Sequence, residues 1–400
     1  MIRRDRLISQ VERSLRLSPV VALLGPRQCG KTTLARLVSA PVEQGGTSGP
    51  VHFFDLEDER TFVQFANPLL RLESLRGLIV LDEFQRLPAL LPALRVLADR
   101  PDVPARFLIL GSASPDLIRG ASETLAGRVD FVDMAGFTLD EVAAARPDTP
   151  SSAVDFRSLW FRGGFPRSFL APDDDASQRW RQSFIRTFLE RDLRLLGVNL
   201  PPDTARRFWT MLAHNHGGIW NGSDIGSSLG VTYHTARRYL DQMSGAYVVR
   251  SLQPYFENVG KRVVKSPKVY VRDTGLLHEL LEIPTMSSLS GNPKIGPSFE
   301  GFVVEQLLAQ LGERNAYFWA THAGAELDLL LVRAGKKWGV EVKYTDAPSM
   351  TKSMRAAFDT LKLEYLWVVH AGQSAYPIAE RVQALPVTSL GEIMSRVGAG

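Results

Sequence analysis

Residues 25–32 read GPRQCGKT, a G-x4-G-K-[ST] pattern set between an apolar run at 20–24 and a segment with helical spacing. No other stretch constrains the chain as much. A glycine-rich turn that joins a buried strand to a helix aims successive backbone N–H groups, backed by the helix dipole, at a phosphate. Gly25 and Gly30 permit the turn, Lys31 is placed to reach β and γ phosphates, and Thr32 to ligate magnesium, with Thr33 beside it at the start of the helix. The expected cofactors are therefore ATP and Mg2+.

Beyond the loop, short apolar runs at 51–54, 78–81, 107–110 and 129–132 are separated by helical segments, and Leu7, Val11, Leu15 and Leu17 mark an amphipathic helix ahead of them. The runs are continuous rather than alternating, as strands buried on both faces of a parallel sheet require. The Pro-containing stretch 145–151 marks the end of this first α/β domain. The run 78–83, LIVLDE, brings Asp82 and Glu83 to the carboxyl end of a strand, where open α/β sheets place ligands. Asp82 is expected to hold magnesium through water and Glu83 to polarise an attacking water. Ser112 follows the 107–110 run, in position to sense the γ phosphate. Arg128 immediately precedes the 129–132 run, at a domain edge from which a guanidinium can complete a neighbouring subunit's phosphoryl-transfer site; Arg119 is the rival.

The remaining composition narrows the classes. With 44% hydrophobic and 22% charged residues over 400 positions, the chain is long enough for two to four domains. One cysteine, Cys29, excludes an intramolecular disulfide and a cysteine-based zinc site. No apolar run is long enough to cross a bilayer and no signal-peptide core follows Arg3 and Arg4, so a cytoplasmic protein without a membrane partner is expected.

From 156 to about 216 the text is helical and rich in aromatic residues and Arg, broken at Gly163-Gly164. A compact unit follows: a helix at 222–229 capped by Ser223, a turn at Gly230, a second helix at 232–243 and a β-ribbon at 246–256. Val231, Ala236, Tyr239 and Leu240 are expected to pack inward. The spacing looks like a winged helix-turn-helix, which would set Thr232, Tyr233, His234, Arg237 and Arg238 near a major groove or phosphate backbone. Between 221 and 273, eight basic residues (Arg237, Arg238, Arg250, Lys261, Arg262, Lys265, Lys268, Arg272) oppose four acidic ones, an excess equal to the whole chain's +4. Concentrated positive charge favours phosphate contacts. The lack of interleaved stacking aromatics favours duplex over single-stranded DNA.

After a loop-like stretch at 287–297, an amphipathic helix is expected to about 311, then strands at 316–319, 327–332, 339–343 and 365–369 and a surface helix at 388–397. Side chains alternate along a strand, so Glu341 and Lys343 share a face; with Asp328 and Glu300 they can form Glu…Asp…Glu-x-Lys, a second magnesium site suited to phosphodiester cleavage. This resembles the PD-(D/E)XK, restriction-endonuclease-like group, with Leu327 standing where that group usually has proline. His214 and His216 read as turn histidines, and Trp319, Trp338 and Trp367 as core.

In the order GPRQCGKTTL, LIVLDEFQRLP, GSAS and LAGRV, the chain resembles the bacterial and archaeal AAA+ family ATPases whose C-terminal half is a domain of unknown function. The resemblance extends through FRGGFP at 161–166, ERDL at 190–193, SPKVYVRDTGLL at 266–277 and the ELDLLL and GVEVK segments. It implies a magnesium-dependent ATPase, Arg128 acting in trans, and a homo-oligomer in the form of a six-membered ring. The expected fold class is α/β: a P-loop AAA+ domain with a parallel sheet (1–150), a helical lid (151–218), a winged helix-turn-helix with a basic connector (219–296) and a C-terminal α/β restriction-endonuclease-like domain (297–400). The expected work is binding and remodelling of duplex or branched DNA, such as repair or recombination intermediates. A nucleotide-switched DNA-binding regulator and an ATP-gated endonuclease are the alternatives.

Overall fold

The structure, a computed structural model, describes residues 2–43, 49–101, 105–112, 115–145, 155–195, 200–256 and 264–398. The chain divides into two compact units, 1–136 with 245–247, and 137–244 with 248–400.

In the first unit the apolar runs become five parallel strands: β1 (Val20–Gly25), β2 (Val51–Asp55), β3 (Gly77–Asp82), β4 (Ala105–Ser112) and β5 (Val129–Asp133), in the order β2-β3-β4-β1-β5. Every residue of β1 is buried, which is why its sequence shows no alternation. The helix Asp5–Leu17 lays Leu7, Ile8 and Val11 inward. Phe107 and Ile109 of β4 join Ile79 and Leu81 of β3 in one cluster with Leu90, Leu94 and Leu97 of the helix Leu90–Ala98. This packing holds the carboxyl ends of β1, β4 and β3 side by side.

The second unit begins with the helices Leu139–Ala144, Phe156–Arg162, Asp174–Thr187 and Pro202–His214. It then forms a small antiparallel sheet of β6 (Gly218–Ile219), β7 (Val249–Leu252) and β8 (Lys268–Val271), ordered β6-β8-β7. Between β6 and β7 lie the helices Gly222–Leu229 and Tyr233–Gly245, joined through Gly230 in the left-handed region at φ 70°. Ala236, Tyr239 and Leu240 pack inward as the spacing predicts, whereas Val231 is only half-buried. The first helix is capped by Asn221, not Ser223: its side-chain oxygen accepts the N–H groups of Ser223 (3.2 Å) and Asp224 (3.4 Å). The expected ribbon at 246–256 supplies a single strand, β7, whose partner β8 lies well beyond it. Past β7, Pro254 has no N–H to continue a ladder, and the chain turns to Phe318, which donates its N–H to the Gln253 carbonyl (3.1 Å) and accepts from Tyr255 N–H (2.7 Å).

Two motifs separated by about a hundred residues form one joint. Gly163, at φ 78°, leaves the room that the Asp273 carboxylate fills, and Gly275 lies so close to the Arg162 carbonyl that a β-carbon there would overlap it. Asp273 caps the helix Thr274–Leu280 through Leu276 N–H (2.9 Å) and also accepts from Gly164 N–H (2.8 Å), while Thr274 donates to the Trp160 carbonyl (2.6 Å).

The C-terminal sheet has six strands: β9 (Ala316–Ala320), β10 (Glu326–Arg333), β11 (Lys336–Lys343), β12 (Tyr365–His370), β13 (Tyr376–Ala379) and β14 (Val382–Pro386), ordered β13-β14-β12-β11-β10-β9. β11, β12 and β14 run parallel; the rest are antiparallel. The crossover helix Lys352–Leu361 sets Met354, Ala357 and Leu361 against Leu327, Leu330, Leu366 and Val368. The expected loop at 287–297 contains the helix Met286–Ser290 and the start of the helix Ile295–Leu311. That second helix is not amphipathic. Ten of its residues from Ser298 to Leu308 are buried, including Glu305 and Gln306, because charge and amide groups elsewhere in the unit pair with them. Gln306 accepts the Leu139 N–H (2.6 Å).

Two buried histidines are fixed as neutral rings. Trp160 Nε1 donates to Ser298 Oγ (2.9 Å), Ser298 donates to His278 Nε2 (2.7 Å), and His278 Nδ1 donates to the Phe161 carbonyl (3.0 Å). His216 Nδ1 accepts the Val271 N–H (3.0 Å), and its ring passes over Gly301, where a β-carbon would overlap it. Burial lowers His278 from 6.5 to about 4; burial, then the neighbouring His278 ring and the charges of Lys294 and Lys268, lowers His216 to about 3. Each ring takes up a proton only on unfolding, so its stabilisation is complete above about pH 6.5 and lost as the pH falls, by about 1.4 kcal/mol per pH unit per histidine. Glu300 and Glu341 of the same unit, raised by burial, oppose this slope, so the histidine is isolated by a difference: the stability of the wild type relative to His278→Gln, measured by urea unfolding, should fall by up to about 1.4 kcal/mol per pH unit as the pH is lowered from 6.5 to 5.

Candidate functional site

The phosphate loop leaves the carboxyl end of β1 and enters the helix Lys31–Glu43, with Gln28 (φ 63°) and Gly30 (φ 100°) in left-handed backbone and Cys29 buried beneath. Lys31 is buried, its ammonium donating to the carbonyls of Gly25 (3.0 Å) and Pro26 (2.8 Å). Thr32 Oγ1 donates to Asp82 Oδ2 (2.7 Å), and the other Asp82 oxygen accepts Glu83 N–H (2.9 Å). Residues fifty positions apart are thus joined by one hydrogen bond at the mouth of the sheet. Thr33 is exposed on the helix's first turn.

Glu83 sits in left-handed backbone at φ 53°, a conformation costly for a residue with a side chain and common at functional sites. Gln85 holds its carboxylate through Nε2. Gly111 makes this possible: a β-carbon there would collide with the Phe84 ring and with Gln85 Oε1. Burial first, opposed chiefly by Lys31 and Arg27, raises the Glu83 pKa; burial, opposed by the Thr32 hydroxyl, raises that of Asp82. A carboxylate pushed toward neutrality is suited to exchange a proton with water. The oxygens of Thr32 and Asp82 form a hard donor pair of the kind magnesium takes beside phosphates. Sequence reading missed Phe84 and Gln85, whose role depends on a glycine in another strand.

Ser112 ends β4 directly opposite Gly25 in the ladder, and Arg119 belongs to the helix Pro115–Thr124; the side chains of both lie outside the described residues. Arg128 lies at the other end of the sheet. Its carbonyl accepts Val20 N–H (3.1 Å), so the whole of β1, about 17 Å at roughly 3.3 Å per residue, separates it from its own loop. Its guanidinium makes two bonds to Asp99 (2.6 and 2.8 Å).

In the helix Tyr233–Gly245, Thr232, Tyr233, His234 and Arg238 are exposed, while Arg237 pairs with Asp241 (3.0 Å). Among the described residues, three of the segment's basic side chains are buried or paired internally rather than presented at a surface. Arg250 is buried between Glu305 and Glu313 (Arg250–Glu313 2.7 Å), which keep it charged although burial opposes this. Arg272 pairs with the same two carboxylates (3.2 and 3.3 Å), and Lys268 is buried among Glu300, Glu326 and Asp328. The neutralising acids all follow residue 273, so a count that stopped there could not include them. Lys265 is exposed; Lys261 and Arg262 lie outside the described residues.

Glu300, Asp328, Glu341 and Lys343 do come together. Lys343 Nζ lies 2.8 Å from Glu341, and Asp328 acts electrostatically on both glutamates. However, Lys268 stands among the carboxylates, bonding Glu300 (2.8 Å) and Asp328 (3.2 Å). Among the described residues no three His, Cys, Asp or Glu side chains are arranged to hold a metal ion. The expected second magnesium site therefore does not fit the residues as they stand. His214 ends the helix Pro202–His214 and is exposed, His216 lies in the turn after it but is buried, and Trp319, Trp338 and Trp367 are core.

Residues 17–143 match the AAA domain family, 153–287 match a domain of unknown function, DUF8612, and 295–390 match another, DUF4143. The uncharacterized proteins Rv2008c of Mycobacterium tuberculosis and Mb2031c of Mycobacterium bovis are each 49% identical over 390 residues, covering 98% of this chain and 85% of theirs. The chain belongs to the family of these two proteins. Its first part is an AAA-type P-loop ATPase domain. Among solved structures, the Walker-type ATPase PABY2304 of Pyrococcus abyssi is similar at a TM-score of 0.47 and 14% identity, covering 70% of this chain and 96% of that one. No helix among the described residues is long and apolar enough to cross a membrane.

Glu83→Gln should lower the ATP turnover number by about 10²–10⁴-fold while nucleotide affinity stays near wild type, measured by phosphate release and by fluorescent-nucleotide titration. Equal loss of both would show that Glu83 supports the loop rather than the chemistry.

Proposed function

We propose that this chain is a magnesium-dependent ATPase, active as an oligomer, that couples hydrolysis to binding and remodelling of duplex or branched DNA. The observation that carries the ATPase reading is the Thr32–Asp82 hydrogen bond beside the phosphate loop, with Glu83 held next to it. Lys31 would exchange the carbonyls of its own loop for phosphate oxygens. Bound magnesium, held by Thr32 and by Asp82 through water, would neutralise phosphate charge. Glu83 would take a proton from the attacking water as its oxygen bonds the γ phosphorus and the bond to the bridging oxygen breaks, giving ADP and phosphate.

Arg128 is too far from its own loop to act there, which supports a role toward a neighbouring copy; Asp99 would have to release it on assembly. Such a guanidinium stabilises the charge of phosphoryl transfer. Mixing inactive Lys31→Ala and Arg128→Ala chains should then restore part of the wild-type rate, because some contacts in a mixed assembly pair an intact loop with an intact arginine. No restoration at any mixing ratio would count against action in trans.

For DNA, the winged-helix reading is supported by the two helices joined at Gly230, the sheet β6-β8-β7 beside them, and the exposed group Thr232, Tyr233, His234 and Arg238. Because three of the eight basic residues are spent internally, the contact rests on these few side chains rather than on a broad positive field. ATPase rates measured with single-stranded, duplex, forked and four-way DNA at low salt should rise severalfold with duplex or branched DNA. Arg238→Ala should weaken DNA binding and reduce the slope of log affinity against log salt by about 1, leaving the DNA-free rate unchanged. A rate indifferent to every DNA would remove the DNA half of the proposal and leave the ATPase half standing.

A further inference from the structure

Carboxylates that ligate a divalent ion must turn several oxygens toward one point. In the C-terminal cluster that point is taken. Lys268 is only 2% exposed, and its ammonium, which has three N–H donors, meets three carboxylates: Glu300 Oε1 at 2.8 Å, Asp328 Oδ1 at 3.2 Å, and Glu326 Oε1. The group has further bonds besides those to Lys268. Asp328 Oδ2 accepts the Val342 N–H at 2.9 Å, and Glu300 Oε1 also accepts the Tyr270 hydroxyl at 2.6 Å. Among the described residues, one buried carboxylate oxygen of the group is left over. Glu341 is 4% exposed, and its Oε2 has no hydrogen-bond partner, although Lys343 holds its other oxygen.

The charges show why the lysine matters. Four carboxylates face two ammonium groups, so the cluster remains short of positive charge even with Lys268 in place. Taking Lys268 away would leave Glu300, Asp328 and Glu341 with Lys343 as their remaining neighbour of opposite sign.

We infer that Lys268 is the resident cation of this cluster, standing where a nuclease of this arrangement would hold a metal, so that the centre is a closed ionic joint fastening β8 to the C-terminal sheet; removing the ammonium opens a divalent-cation site. The inference does not depend on the ATPase reading. It goes against magnesium-dependent cleavage by the protein as it stands.

The test is Mn2+ binding, followed by electron paramagnetic resonance on the full-length, nucleotide-free chain. Asp328→Asn provides the control that separates this cluster from the phosphate loop. The wild type should show no Mn2+ site that Asp328→Asn removes. Lys268→Met, which keeps the apolar stem, should gain one site per chain, at least tenfold tighter than any wild-type signal from the cluster and lost again in Lys268→Met/Asp328→Asn. A wild-type site abolished by Asp328→Asn would overturn the inference, as would a folded Lys268→Met chain that gains none. If Lys268→Met is too unstable to titrate, millimolar Mn2+ should raise its melting temperature more than that of the wild type; no such difference would also overturn it.

Discussion

A charge taken out of water must find its opposite, and the second unit is organised by that requirement. Arg250 and Arg272 share Glu305 and Glu313, while Lys268 meets Glu300, Glu326 and Asp328. These pairs connect β7 and β8 to the helix Ile295–Leu311 and to β10. Burying ions usually costs more than their attraction returns, but breaking such a pair leaves an uncompensated charge and costs about 3–5 kcal/mol. The pairs therefore fix which elements meet more than they raise net stability.

The first unit solves a different problem with less long-range chemistry. Its strands β1 and β3 are apolar up to their carboxyl ends, where the loop after β1 and the acids at the end of β3 face the same opening. Thr32 and Asp82 meet there because β1 and β3 flank β4 in a parallel sheet. Glu83 needs more: the orientation of its carboxylate depends on Gln85, and Gln85 depends on the empty space at Gly111.

This contrast explains what could be read in advance. The inner strands of the first sheet were legible because burial on both faces writes continuous apolar runs, whereas the edge strands β2 and β5 are mostly half-buried and carry His52 and Asp130 within their runs; the loop was legible because its glycines and lysine have few other uses at that spacing. β13 was missed: Tyr376–Ala379 is short, contains proline and is largely accessible, so it carries neither an alternating nor a continuous apolar signature. The helix Ile295–Leu311 was misread as amphipathic because Glu305 and Gln306 look solvent-facing until Arg250, Arg272 and Leu139 are placed beside them. The positive charge at 221–273 misled for the same reason. Its counter-ions are local in space but not along the chain, and no periodicity reveals them. Strand alternation correctly put Glu341 and Lys343 on one face, with Asp328 and Glu300 beside them, yet Lys268, which stands among these carboxylates, comes from another sheet.

The joint at Gly163 and Asp273 has a consequence for how such a chain diverges. One segment supplies a vacancy and the other the group that fills it, so a side chain gained at Gly163 would have to coincide with loss of the carboxylate, and that loss would uncap a helix and release the Gly164 N–H together. Single steps away from this arrangement are each penalised before any compensating step can arrive. The two segments are thus bound to vary as one inherited unit, however far apart their codons lie.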